Sequence, residues 1–404
     1  MAIVCPPPAA LTPHFPALDT MASAERMMLK LTVRETTTTE EKPTIHVAIP
    51  RLRSRNLEQP LLRDLPAEVM LNIFKHAVEV DSEVHTAFSS FIRPRPSSTP
   101  LSLLAISKRC NEYAADQTEL WTTVSGTQHE PNVPHPELIK LWIQRAGDIR
   151  RLNFHISPRE YKCPDGVPDE FTERNLRMFM QHAPRWHHIA FELNDAMAQV
   201  YLKHLLDESK PKPGAVDCVE LLAGSISSHD TARNLFSSIA LYSSTVTELH
   251  WAGPRNFSPP EDASLKMERL TIFSVDAHNM TELVQCLDAL DAPELEELWV
   301  CISIQDPGRD GVRWSSAVSI FCEALHRLAT LPEVLLIQDD DIERVETVTA
   351  LQTLGSKIGL SRLSIVSSNL AKIVGDLEEH PYRIRDEHSP EYRFHEDRMD
   401  IVFG

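Results

Sequence analysis

The sequence predicts an α/β protein: a small N-terminal helical unit followed by a long, irregular solenoid of strands and helices. Three observations carry this. Eight short segments repeat one phrase, apolar-x-x-apolar-x-apolar. Stretches with helical spacing separate them, at intervals of roughly 20 to 40 residues, the period of stacked repeats. Ahead of them stands one amphipathic helix signal, LPAEVMLNIF, Leu65 to Phe74, after some sixty residues rich in Pro, Thr and Ser.

Residues 1–60 include PPPAALTPHFP and RETTTTEEKP. Such composition buries too little to offset the entropy of ordering, so a flexible tail is expected. Ala22 to Val33 is the one stretch there with helix-forming spacing.

Residues 61–125 form the next block. Pro66 suits a first helical turn, with Asp64 or Leu65 as the cap. Leu65, Val69 and Ile73 fall four apart, and Met70, Phe74 and Ala77 make an adjoining stripe. The apolar face is wide. The Pro-rich stretch from Val80 to Pro100 reads as a loop. Helical spacing resumes with Leu103, Leu104, Ile106 and Tyr113, and the block ends near Leu120-Trp121.

Residues 138–375 hold the eight phrases. They are Ile149-Leu152-Phe154, Trp186-Ile189-Phe191, Val216-Val219-Leu221, Val246-Leu249-Trp251, Met267-Leu270-Ile272, Leu295-Leu298-Val300, Pro332-Leu335-Ile337 and Leu360-Leu363-Ile365. The last two positions of each alternate as in a strand with one buried face. Helical faces lie between, such as Met197, Val200, Tyr201 and Leu205, or Leu283, Val284, Leu287 and Leu290. An ordinary α/β domain also alternates strands and helices, but it gives no reason for one phrase to recur. Residues 376–404 read as a charged tail.

Composition narrows function. Hydrophobic content of 42% suits a globular chain, and a net charge of -18 argues against gripping nucleic acid or anionic membrane, since both need a basic face. Seven scattered cysteines without a CxxC pair suit reduced thiols in the cytoplasm or nucleus. The N-terminus lacks the pattern of a secretory signal, and no apolar window is long enough to span a membrane.

No catalytic motif is found: there is no GxxxxGK[ST], GxSxG or HExxH. The His187-His188 pair lies on a strand, where neighbours face opposite ways and suit one metal poorly. Asp339-Asp340-Asp341 precedes a helix, where acidic residues are expected on dipole grounds. His380, His388, His395, Glu396 and Asp397 fit no closed ligand pattern. The basic run IPRLRSR, 49–55, is short. Hence no catalytic residue, metal or cofactor is expected.

Taken together, the chain resembles an F-box protein, in particular the large class from mushroom-forming fungi. LPAEVMLNIF matches the start of the F-box, Leu-Pro-x-Glu-[Ile/Val]-[Leu/Met]-x-x-Ile-Phe, at every defining position. ISKRCNEYAADQTELWTTV resembles its second half. LIKLWIQRAGDIRRLNFHIS at 138–157, HAPRWHHIAFEL at 182–193 and APELEELWV at 292–300 resemble later segments of that class. Where the family carries Val-Cys-x-x-Trp-Arg, this chain has Cys110 in place of the Trp.

The resemblance implies an F-box that docks on a Skp-family adaptor, and through it on a cullin-RING ubiquitin ligase. The adaptor contacts expected are Leu65, Pro66, Val69, Ile73 and Phe74, then Leu103 and Leu104. The leucine-rich-repeat-like array at 138–375 would present a protein substrate. The candidates for substrate binding, between the buried strand positions, are Glu248, His250, Arg269, Thr271, Glu297, Trp299 and Arg362. A repeat scaffold that does not bind the adaptor is the alternative that Cys110 keeps open.

Overall fold

In the computed structural model the described residues are 65–80, 84–95, 97–126, 134–158, 170–260, 263–302, 314–339, 342, 345–367, 391–394 and 398–403. The tail expected at 1–60, the basic run at 49–55, Asp340, Asp341 and the histidines beyond 379 lie outside them. The chain divides into two compact units, Met1–Ala67 and Glu68–Gly404. Of the first, only 65–67 are described.

Helix α1, Ala67–Val80, buries Met70 and Phe74, one turn apart, with Glu68 in the first turn where the helix dipole favours it. The expected loop that follows instead contains an antiparallel hairpin, β1 (Val84–His85) with β2 (Ser90–Phe91). Its turn closes through Thr86 N–H to the Ser89 carbonyl at 2.8 Å. Helices α2 (Thr99–Ile106) and α3 (Lys108–Asp116) meet at Ser107, an extended residue whose hydroxyl accepts the Cys110 N–H at 3.1 Å and caps α3. A 3₁₀ turn at Thr118–Trp121 seats Trp121 in the core. Its indole N–H donates to the Ala114 carbonyl at 2.8 Å, and its ring lies edge-on to Trp142, 4.9 Å away. Cys110, on α3, is buried too.

The second unit is built on one open sheet of 11 strands. In order they are β3 (Thr123–Ser125), β4 (Leu152–Ile156), β5 (Trp186–Glu192), β6 (Cys218–Leu222), β7 (Glu248–Ala252), β9 (Ile272–Ala277), β11 (Glu297–Ile302), β12 (Val334–Gln338), β13 (Arg362–Val366), β15 (Arg398–Val402) and β14 (Glu391–Phe394). From β3 to β13 every neighbour is parallel and follows chain order, and β15 and β14 add antiparallel. A separate two-stranded pair joins β8 (Leu265–Lys266) to β10 (Leu290–Asp291). The connections carry α4 (Pro136–Arg145), α5 (Glu170–Gln181), α6 (Asp195–Leu206), α7 (His229–Ser238), α8 (Met280–Asp288), α9 (Trp314–Arg327) and α10 (Val345–Ile358). Successive helices pack on one another, except across α7 and α8 where β8 and β9 intervene. Gly359, at φ +77°, ends α10 in the left-handed conformation that suits a residue without Cβ.

Two in-register rows fill one face of the sheet. Phe154, Ile189, Val219, Leu249, Phe273, Leu298, Leu335 and Leu363 form the first, all buried. The second runs from Ile156 through Phe191, Leu221, Trp251, Val275 and Val300 to Ile365. Each such side chain contributes roughly 1.5–3 kcal/mol on burial.

Six of the eight expected phrases lie in these rows as read. Two are displaced. In the first, Ile149 is 96% exposed and the residues in register are Phe154 and Ile156. In the fifth, the strand starts later, and Phe273 and Val275 take the inward positions. Met267 is buried instead beside the short β8–β10 pair, where its N–H donates to the Asp291 carbonyl at 2.8 Å. The C-terminal stretch is also corrected. Rather than a charged tail throughout, it supplies β15, which buries Met399 and Ile401 against β13. The expected boundary between 125 and 138 does not separate compact units, because β3 pairs with β4 and Trp121 packs on Trp142.

Candidate functional site

The opposite face of the sheet is polar at its centre. Ser125, His155, Ala190, Glu220, His250, Ser274, Trp299, Leu336, Ser364 and Asp400 form one continuous cross-strand row. Odd and even positions of each strand point to opposite faces, so the alternation that builds the apolar core also lines up this row.

Over β4–β7 the row is buried, because the β1–β2 hairpin lies across it. Phe91 packs on His155 and His188, with ring centroids 5.3 and 5.1 Å apart. Phe88 reaches Trp299 at 5.3 Å and His250 at 6.3 Å. From β11 onward the face is less covered: Glu297, Cys301, Val334, Leu336 and Arg362 are half-buried and Gln338 is exposed, while Ser364 and Asp400 are buried and bonded to each other at 2.7 Å.

Glu220 is the hub. It is fully buried. One carboxylate oxygen accepts the Thr86 hydroxyl at 2.6 Å and lies 2.7 Å from His188 Nε2. The other accepts the Ala87 N–H at 3.0 Å and sits 3.5 Å from His250 Nδ1. His250 Nε2 is in turn 3.4 Å from Asp276. Burial opposes charge on Glu220, but the His188 and Thr86 bonds and the nearby His250 imidazole outweigh it and hold its carboxyl at about 2. Burial likewise opposes charge on His250, yet Asp276 and Glu220 raise it to about 9. His250 thus lies between two carboxylates at ion-pair distance, with neither ring nitrogen in hydrogen-bonding geometry, so charge is what couples it to them. At the rim His155, bonded to Ser125 Oγ at 2.8 Å, is pushed down to about 4 by burial.

The expectation that His187 and His188 face opposite ways is met. His187 pairs with Asp217 at 3.1 Å, and His188 turns to Glu220. His188, Cys218 and Glu220 bring an imidazole, a thiol and a carboxylate within 4.8 Å of one another. Their chemistry is that of a closed network: the histidine bonds directly to the carboxylate. Burial, with Glu220 and Glu248 nearby, pushes the Cys218 thiol far up and keeps it protonated.

Of the expected substrate-facing residues, Glu248, His250, Glu297, Trp299 and Arg362 do lie on this face. His250 is covered by the hairpin, and Trp299 donates its indole N–H to Glu297 at 3.0 Å. Arg269 and Thr271 do not join them. They precede β9, where the Thr271 hydroxyl donates to the Thr247 carbonyl at 3.1 Å. The displaced fifth phrase explains this, since a shifted register changes which side chains face out. Sequence reasoning missed Glu220, Asp276, Thr86 and Phe88, and named His188 without its partner. Glu220 stands one residue beyond the phrase position Val219, as His250 does beyond Leu249, and that parallel was the available signal.

A second surface lies on α1. Val69 and Ile73, one turn apart, are 41% and 46% exposed, while Phe74 and Leu103 are buried and Leu104 is half-buried. Phe74 and Leu103 therefore support the helix rather than face outward. Leu65 is half-buried and Pro66 exposed.

No protein-family model matches the chain, and no curated protein matches it. Among the described residues, no helix is long and apolar enough to cross a membrane.

Proposed function

We propose that the chain is the substrate-recognition subunit of an SCF-type cullin-RING ubiquitin ligase. In this reading residues 61–125 are an F-box that docks on a Skp-family adaptor, and the array at 138–375 is a leucine-rich-repeat-like solenoid that presents a protein substrate. The chain itself is not catalytic; it works by proximity. It acts in the cytoplasm or nucleus, without cofactor, nucleic acid or membrane.

The observation that carries this reading is the pair Val69 and Ile73. Two large apolar side chains on one stripe stay substantially exposed on a helix that buries Met70 and Phe74 on the next. Apolar stripes left open on a short helix mark a partner surface. Parallel strands stacked in chain order support the repeat reading, because each unit covers its neighbour.

The alternative, an interaction scaffold that does not bind the adaptor, is favoured by one observation: the residue in the place of the family's Trp is Cys110, and it is buried. A pull-down with purified Skp-family adaptor separates the two. Capture of the intact chain, lost in the variant Leu65→Ala, Pro66→Ala, Val69→Ala, Ile73→Ala, supports the receptor. Absence of capture by a folded intact chain leaves the scaffold.

A further inference from the structure

The hairpin meets the sheet in two ways. Its base is ordinary core: Phe91 and Ile92 are buried, and the Ile92 carbonyl accepts the Ser125 N–H at 2.7 Å. Its tip, Thr86 to Ser89, is different. Thr86, Phe88 and Ser89 are half-buried and Ala87 is exposed. The tip makes four specific contacts with the polar face: the Thr86 hydroxyl and the Ala87 N–H on the two oxygens of Glu220, and the Phe88 ring on Trp299 and on His250. The turn is already closed by the Thr86 N–H on the Ser89 carbonyl, so the hairpin itself does not require these contacts.

We propose that this tip is a built-in stand-in for a peptide ligand. The polar face takes a short segment with a hydroxyl residue, a following residue that offers its N–H, and then an aromatic ring. The inference rests on the polar face being the substrate-facing surface.

Selectivity follows from Glu220. A segment that displaces the tip without a hydroxyl leaves a buried carboxylate short of a donor, and unpaired buried acceptors are costly. A segment without a ring leaves Trp299 and the edge of His250 open. The face continues past Trp299 toward Leu336 and Arg362, half-buried positions that a longer ligand can cover.

The test uses the full chain and a fluorescein-labelled, end-blocked peptide of sequence HTAFSS, residues 85–90. In the intact chain the tethered tip competes at an effective concentration on the order of millimolar. The variant Thr86→Ala, Phe88→Ala frees the face. Fluorescence anisotropy is expected to show binding to this variant at least about tenfold tighter than to the intact chain. Valine for threonine, or alanine for phenylalanine, in the peptide is expected to weaken binding by about tenfold or more. No binding to a variant that melts as the intact chain does overturns the inference. Should the variant not fold, hydrogen exchange on the intact chain decides. Saturating peptide is expected to speed exchange at 86–89, and unchanged rates overturn the proposal. Adaptor capture is scored separately, so adaptor binding without peptide binding sinks this inference alone, and the loss of adaptor capture bears on the receptor reading alone.

Discussion

The hydroxyl of Thr86 donates to Glu220 at 2.6 Å across 134 residues of sequence. This one bond ties a hairpin in the expected F-box segment to the middle of the sheet. Its acceptor, Glu220, is buried on β6, so the tip of the β1–β2 hairpin is held over the polar face of the sheet.

Glu220→Gln tests that role. The amide cannot accept every bond that the carboxylate accepts, and it leaves His250 with Asp276 as its one ion-pair partner. Breaking a buried pair in this way is expected to cost roughly 3–5 kcal/mol. Urea denaturation reads it directly. A loss below about 0.5 kcal/mol, the range of ordinary surface changes, would show that the network carries little stability.

The same cluster predicts a stability maximum in pH. His155 has its folded pKa lowered to about 4, so the unfolded chain takes up its proton first as pH falls below 6.5. Between there and pH 4 up to roughly 3 kcal/mol is lost. The Glu220 contribution is complete above its ordinary 4.5 and is lost as pH falls toward 2. His250 acts on the other side: its contribution is complete below 6.5 and is lost as pH rises through about 9. Thermal melts from pH 4 to 10 should fall on both flanks. His155→Phe should flatten the acid flank between 6.5 and 4, and an unchanged slope would sink the assignment.

Removing residues 391–404 distinguishes a strand from a tail. The core would lose Met399 and Ile401, and β13 would become a free edge. Open edges invite pairing between chains. The shortened chain is expected to melt lower and to elute as larger species on size exclusion; a monomer of unchanged melting temperature would contradict the pairing of β15.

Thiol labelling gives a fourth check. Cys110, Cys218 and Cys286 are buried, whereas Cys301 and Cys322 are half-buried. Burial also pushes the Cys218 and Cys286 thiols upward, that of Cys286 to about 12, and so depletes the reactive thiolate. Among the five described cysteines, mass-spectrometric mapping with iodoacetamide should find Cys301 and Cys322 modified first. The buried three should react only on unfolding, and rapid native labelling of Cys218 would mean that the hairpin does not cover the face.

The sequence by itself determined the alternation of strands and helices, because burial of one sheet face imposes a local period that can be read without knowing any partner. It also located the start of α1, from Pro66 and the four-residue spacing of its apolar stripes. It placed Glu248, Glu297, Trp299 and Arg362 on the outward face by the same alternation. Tertiary structure decided what local patterns leave degenerate. Met267-Leu270-Ile272 and Leu270-Phe273-Val275 fit the phrase equally well, and only pairing with β7 and β11 selects the second. The stretch from Val80 to Pro100 carries few apolar residues and reads as a loop, because the partners of its Phe91 and Ile92, His155, His188 and Ser125, lie far off in sequence. Residues 398–402 look charged and short, and become a strand because β13 offers an edge and the core accepts Met399 and Ile401. In each case the deciding energy is a long-range contact, a buried charge matched or a strand edge closed, and no local window of sequence contains it.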